Sequence, residues 1–180
     1  MRLFISINFD KQVKDKIISV QKELKIWNVS GNFTPPENLH LTLVFFGEAE
    51  ESRIRSIQAA MLQTQLPKFE FALKNINSFK SGKGDIFWLG VDNAQKLTEL
   101  ENRLVYNLNK RSLDALSHEK FTPHITLARD VNYENFDYIL FNQNFKGIPV
   151  TADKICLMQS TRVKNRMVYT EIFKKNLFNE

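Results

Sequence analysis

Residues 2–8 alternate between the two faces of a strand, with Leu3, Ile5 and Ile7 on one side, and Asp10 stands where a helix N-cap belongs. From there Val13, Ile17, Val20 and Leu24 recur at spacings of three and four, so the strand is predicted to lead into an amphipathic helix. A loop is predicted from near Trp27 to Pro35-Pro36, after which residues 39–46 read as a strand stopped by Gly47. Helical spacing returns over residues 50–64 through Ile54, Ile57 and Met61. Strand-like runs follow at 69–76 and 86–91, joined by Ser81-Gly82-Lys83-Gly84-Asp85 as a hairpin turn. A helix with Leu97, Leu100, Leu104 and Leu108 on one stripe then precedes a strand at 122–129, so the second half echoes the first. Residues 135–143 are weakly helical, and strands at 150–158 and 167–173 flank a basic turn at 162–166. The pattern predicts one α+β domain over residues 1–180. It has two pseudo-symmetric lobes, each a mostly antiparallel sheet backed by helices, with a groove between them.

Two of the predicted strands carry the same phrase, His40-Leu41-Thr42-Leu43 and His124-Ile125-Thr126-Leu127. With 9 Thr in 180 residues and 3 His, two His-x-Thr hits should arise in roughly 1% of shuffled sequences, so chance is disfavoured. Side chains at i and i+2 of a strand point the same way, about 6.6 to 6.8 Å apart. His40 and Thr42 therefore share a face, as do His124 and Thr126, while Leu39, Leu41, Leu43, Ile125 and Leu127 turn toward the core. Two imidazoles on either side of one ligand can serve as acid and base near neutral pH, and two hydroxyls beside them can donate to anionic oxygens. That set suits a phosphodiester and calls for neither a metal nor a cofactor.

Charge points the same way. Lys and Arg number 25 against 20 Asp and Glu, for a net charge of +5 and a pI near 9.3, which favours an anionic partner. The 15 Phe and 43% hydrophobic residues supply a core. The single Cys156 excludes an internal disulfide and the usual zinc clusters. It lies in an apolar run and is expected to be buried and inert. The N-terminal residues do not read as a signal peptide, and no apolar run approaches the ~18 residues of a membrane span, so a cytoplasmic protein is expected.

The paired phrases in their surroundings resemble the two-histidine (2H) phosphoesterases, and among them the RNA 2′,3′-cyclic phosphodiesterases of the LigT and ThpR type. The likeness rests on the opening Arg2-Leu3-Phe4-Ile5-Ser6-Ile7 and on Glu37-Asn38-Leu39-His40-Leu41-Thr42-Leu43, followed by Phe46-Gly47-Glu48. It extends through Phe121-Thr122-Pro123-His124-Ile125-Thr126-Leu127-Ala128-Arg129. It implies that His40 protonates the leaving 3′ oxygen, that His124 activates water, and that ring opening leaves a 2′-phosphate. Thr42 and Thr126 are the phosphate-binding candidates. RNA ending in a 2′,3′-cyclic phosphate, or a small cyclic nucleotide, is the expected partner of a monomer, with no membrane and no protein partner implied. Rival readings are a 2H enzyme acting on 2′-5′ linked oligonucleotides, including reversible ligation, and a non-catalytic RNA-binding module.

Other residues divide by context. Arg129 could grip phosphate with its forked donors, but strict alternation puts it on the core face with Ile125 and Leu127 unless a bulge intervenes. Phe33, Phe121 and Tyr169 are candidates for stacking on a base, with core packing the alternative for each. Arg162, Lys164 and Arg166 form a basic turn that either guides an RNA backbone or is merely solvated. The glycines at 82 and 84 lack phosphate-loop spacing and read as a turn, and His118 reads as an exposed loop residue.

Overall fold

The structure is a computed structural model that describes residues 1–113, 121–164 and 166–179. His118 lies outside the described residues. Strand β1 (Arg2–Asn8) runs into helix α1 (Lys11–Ile26), which starts where Asp10 accepts a 2.8 Å hydrogen bond from the Val13 amide. The chain continues through β2 (Ser30–Phe33), β3 (His40–Glu48), α2 (Ile54–Gln63), β4 (Phe69–Phe79), β5 (Asp85–Asp92) and α3 (Gln95–Asn109). It ends with β6 (Ile125–Asn132), α4 (Tyr138–Asn144), β7 (Ile148–Ala152), β8 (Lys154–Val163) and β9 (Arg166–Asn176).

Two antiparallel sheets result. The first has the order β3-β1-β8-β9 and the second the order β2-β6-β5-β4-β7. Helices α2 and α3 pack on each other, with α3 against β3 and α2 against β9, while α1 lies on β7 and α4 on β4. One core joins the layers: Leu3, Ile5 and Ile7 of β1, Leu41 and Leu43 of β3, the apolar stripes of α1 and α3, and Ile125 and Leu127 of β6 are all nearly sealed from solvent. The opposite face of the first sheet carries a smaller buried cluster of Phe4, Cys156 and Met158, flanked by Phe45 and Tyr169.

Three expectations are corrected. The loop expected after Trp27 contains β2, whose Ser-Gly-Asn-Phe sequence is mostly exposed and pairs only with β6, so it shows no apolar alternation. The apolar run at 150–158 is two strands, since β7 pairs with β4 of the second sheet and β8 with β1 of the first. The chain changes sheets at Asp153. Gly47 does not stop β3. It lies within the strand at φ +66, where the pairing of β1 and β3 slips and a residue without Cβ is favoured.

The first sheet is curled. Strands β3 and β9 are its two edges, yet Asn38, in the 3-10 turn before β3, donates from Nδ2 to the Met167 carbonyl of β9 at 2.9 Å. His40 and Tyr169, on opposite edges, bring their ring centroids within 5.2 Å, with Phe4 packed against both. The curl makes the concave face on which one half of the groove is built.

Candidate active site

A groove of about 610 Å³ lies between the sheets, and both His-x-Thr phrases line it. His40 and Thr42 reach it from β3 and Thr126 from β6, with Leu41 and Ile125 fully buried on the opposite faces. His124 lines the groove from just before β6, because that strand runs over Ile125–Asn132, three residues further along than the expected 122–129.

Both imidazoles are held in the same way. Nδ1 of His40 lies 2.6 Å from the Asn38 carbonyl oxygen, and Nδ1 of His124 lies 2.7 Å from that of Thr122, in each case two residues back. A carbonyl can only accept, so each Nδ1 carries the proton and each Nε2 is left for chemistry. The Nε2 of His40 is 3.0 Å from the Thr42 hydroxyl, which can donate to the neutral ring or accept from the charged one.

Each ring also rests against two aromatic side chains. His40 has Phe4 at 4.9 Å and Tyr169 at 5.2 Å, while His124 has Phe79 at 5.2 Å and Trp88 at 5.8 Å, with Phe79 and Trp88 stacked on each other. Burial lowers the pKa of both histidines, because an imidazolium there loses hydration. The main-chain carbonyls oppose that shift, whereas Arg129 beside both rings, and His124 and Lys14 beside His40, add to it.

Arg129 does reach the groove, and the reason is local. Trp88 pairs with Thr126 and Phe87 with Ala128, so Leu127 is an extra residue in β6. Leu127 and Ala128 are both buried, and the residue after them returns to the groove. The first phrase is built alike. Ser6 pairs with Thr42 and Ile5 with Val44, so Leu43 is extra, Leu43 and Val44 are both buried, and Phe45 comes to the groove. Phe45 and Arg129 thus occupy equivalent positions, each three residues after its threonine, behind a bulge in the same place.

Tyr169 lines the groove as the sequence suggested, whereas Phe33 and Phe121 pack against the core, and Lys25 lies over the Phe33 ring. Of the basic turn, Arg162 lines the groove and Lys164 and Arg166 are exposed outside it. Sequence reasoning missed Arg2, Phe4, Asn38, Phe45, Met167 and Ser160 on the groove wall, and Phe79 and Trp88 behind His124. Arg2, Phe4 and Asn38 belong to the segments that carry the family resemblance, a signal that could have found them. Cys156 is fully buried beneath the floor, where burial first and then Glu171 push its thiol up to about 12. No helix is long and apolar enough to cross a membrane among the described residues.

A family profile described as the 2′-5′ RNA ligase superfamily matches residues 30–164. An RNA 2′,3′-cyclic phosphodiesterase of Thermotoga maritima is 29% identical over 177 residues, covering 96% of this chain and 94% of the relative. Among solved structures, a Thermus thermophilus protein superposes with a TM-score of 0.83 at 22% identity, covering 100% of both chains. Escherichia coli LigT superposes with a TM-score of 0.77 at 22% identity, covering 99% of this chain and 98% of that one. At such identities the two structures establish the fold.

Proposed function

The chain belongs to the 2′-5′ RNA ligase superfamily, and from that membership we propose that it hydrolyses the 2′,3′-cyclic phosphate at an RNA end to a 2′-phosphate. The observation that carries this reading is the matched pair of histidines, each with Nδ1 tied to a main-chain carbonyl and Nε2 left for chemistry, in a groove that Thr42 and Thr126 also line. Relatives named RNA 2′,3′-cyclic phosphodiesterase supply the substrate class.

The cyclic phosphate lies between the two rings. Nε2 of His124 takes a proton from the attacking water while Nε2–H of His40 gives one to the departing O3′. The bond from phosphorus to O3′ breaks as the bond to the water oxygen forms, leaving a 3′-hydroxyl and a 2′-phosphate. Thr42, Thr126 and the Arg129 guanidinium donate to the non-bridging oxygens, where negative charge builds up. Both histidines begin the cycle in different protonation states, and the Arg129 charge beside them resists both being protonated at once.

The test is an RNA oligonucleotide ending in a 2′,3′-cyclic phosphate, incubated with the protein in EDTA. The expected product gains the mass of one water and carries a monoester that resists a 3′-specific phosphatase. His40→Ala or His124→Ala should each lower the rate by about 10²- to 10⁴-fold, and Thr42→Val or Thr126→Val by less. The family description also keeps 2′-5′ linkages in view. An unreacted cyclic end together with cleavage of a 2′-5′ linked oligonucleotide would overturn cyclic-phosphate hydrolysis in favour of that second activity.

A further inference from the structure

The groove continues past the histidines along the first sheet. Strands β1 and β8 pair without a slip, Arg2 opposite Ser160 and Phe4 opposite Met158, and Arg2, Phe4, Ser160 and Arg162 all line the groove. The Phe4 ring backs His40 at 4.9 Å. Two residues further on, about 6.8 Å along the same face, stands Arg2. Arg162 is its diagonal neighbour on β8, within about 8 Å between main chains and so well within reach of two long side chains.

Both guanidiniums are short of acidic partners. Glu48 lies 3.8 Å from Arg2, and with the two side chains 72% and 50% exposed the contact contributes little. No carboxylate among the described residues lies within 4 Å of Arg162. Arg2 also lies over the Phe45 ring, 5.5 Å from its centroid, which holds its charge down on the groove wall. Two neighbouring like charges with no acid between them repel unless an anion joins them, and a phosphodiester has two free oxygens that match forked donors.

We propose that Arg2 and Arg162 form a second phosphate subsite, which grips the phosphodiester on the 5′ side of the terminal nucleotide while that nucleotide's cyclic phosphate lies between His40 and His124. The proposal rests on hydrolysis of a cyclic end at the two histidines and adds substrate length to it. A free cyclic mononucleotide with a 5′-hydroxyl has nothing to place between the arginines, so the site favours RNA ends over small cyclic nucleotides.

Two measurements test it on the full chain and on Arg2→Gln, Arg162→Gln and the double variant. The first compares kcat/KM for adenosine 2′,3′-cyclic phosphate and for the ApA dinucleotide ending in the same cyclic phosphate. The second is calorimetric titration with the corresponding 2′-phosphate products, which needs no turnover. The dinucleotide should be preferred by roughly tenfold or more in both, as two charge-assisted hydrogen bonds allow. The double variant should lose that preference while its values for the mononucleotides change less than about twofold. Its salt dependence for the dinucleotide product should flatten by about 0.7 in log Kd against log salt, the share of the one phosphate that the two arginines neutralise. An unchanged preference, or an equal loss on both lengths, overturns the subsite. Arginine-dependent binding of the dinucleotide product without hydrolysis would keep the subsite and remove the reaction, whereas hydrolysis indifferent to both arginines would do the reverse. Arg162→Gln alone, at an exposed position, guards against a folding defect in the double variant.

Discussion

An imidazole that donates from Nδ1 to a main-chain carbonyl has its tautomer chosen by the fold, so its Nε2 switches cleanly between lone pair and N–H as pH changes. In this protein that choice is made twice, by the carbonyls of Asn38 and Thr122. Burial and then nearby positive charge hold both rings below the ordinary histidine pKa, and Arg129 acts on each. Removing a cation stabilises an imidazolium, so Arg129→Gln should raise both pKa values and move the whole kcat/KM profile toward higher pH, in addition to lowering its height. A drop in height with the limbs unmoved would show that Arg129 touches substrate without influencing the histidines. The two phrases were legible at this scale because His and Thr spaced by two on a strand need only alternation to converge. The aromatic pair behind His124 was hidden, since Phe79 and Trp88 come from β4 and β5 and nothing in their local sequence sets them apart from core residues.

The strands depart from simple alternation where it matters. One extra residue, Leu43 in β3 and Leu127 in β6, turns the next positions over and brings Phe45 and Arg129 to the groove. A bulge of this kind leaves two successive apolar residues, Leu43-Val44 and Leu127-Ala128, which read in sequence as an ordinary core run. That is why the face of Arg129 could not be decided from periodicity, whereas the long helices, with four turns of unbroken spacing, could be placed at once. The 3-10 turn before β3 is another element that sequence left unremarked. Asn38 within it is 7% exposed and ties the turn leading into His40 and β3 to Met167 of β9. Asn38→Ala removes that donor, and is expected to cost about 1 to 2 kcal/mol in urea unfolding and to lower kcat by loosening the His40 ring. Full activity in a destabilised variant would confine Asn38 to stability.

Neither sheet is made from one half of the chain, because β2 crosses to the second sheet and β8 and β9 return to the first. Side chains of α1, α3, β1, β3 and β6 meet in one core. We therefore propose that residues 1–180 unfold as a single cooperative unit. Far-ultraviolet circular dichroism and the fluorescence of Trp27 and Trp88 should give coincident transitions, and separated midpoints would mean that the lobes melt independently. The same crossing supports the histidines from both sheets, so that acid and base are positioned by one folded body. The pH dependence of kcat/KM from about pH 5 to pH 9 on cyclic-phosphate RNA, for the unaltered protein, His40→Ala and His124→Ala, tests that division of labour most directly. A bell is expected, with the residual activity of His40→Ala losing the alkaline limb and that of His124→Ala losing the acidic one. A flat profile in the unaltered protein, or two variants that keep both limbs, would contradict it.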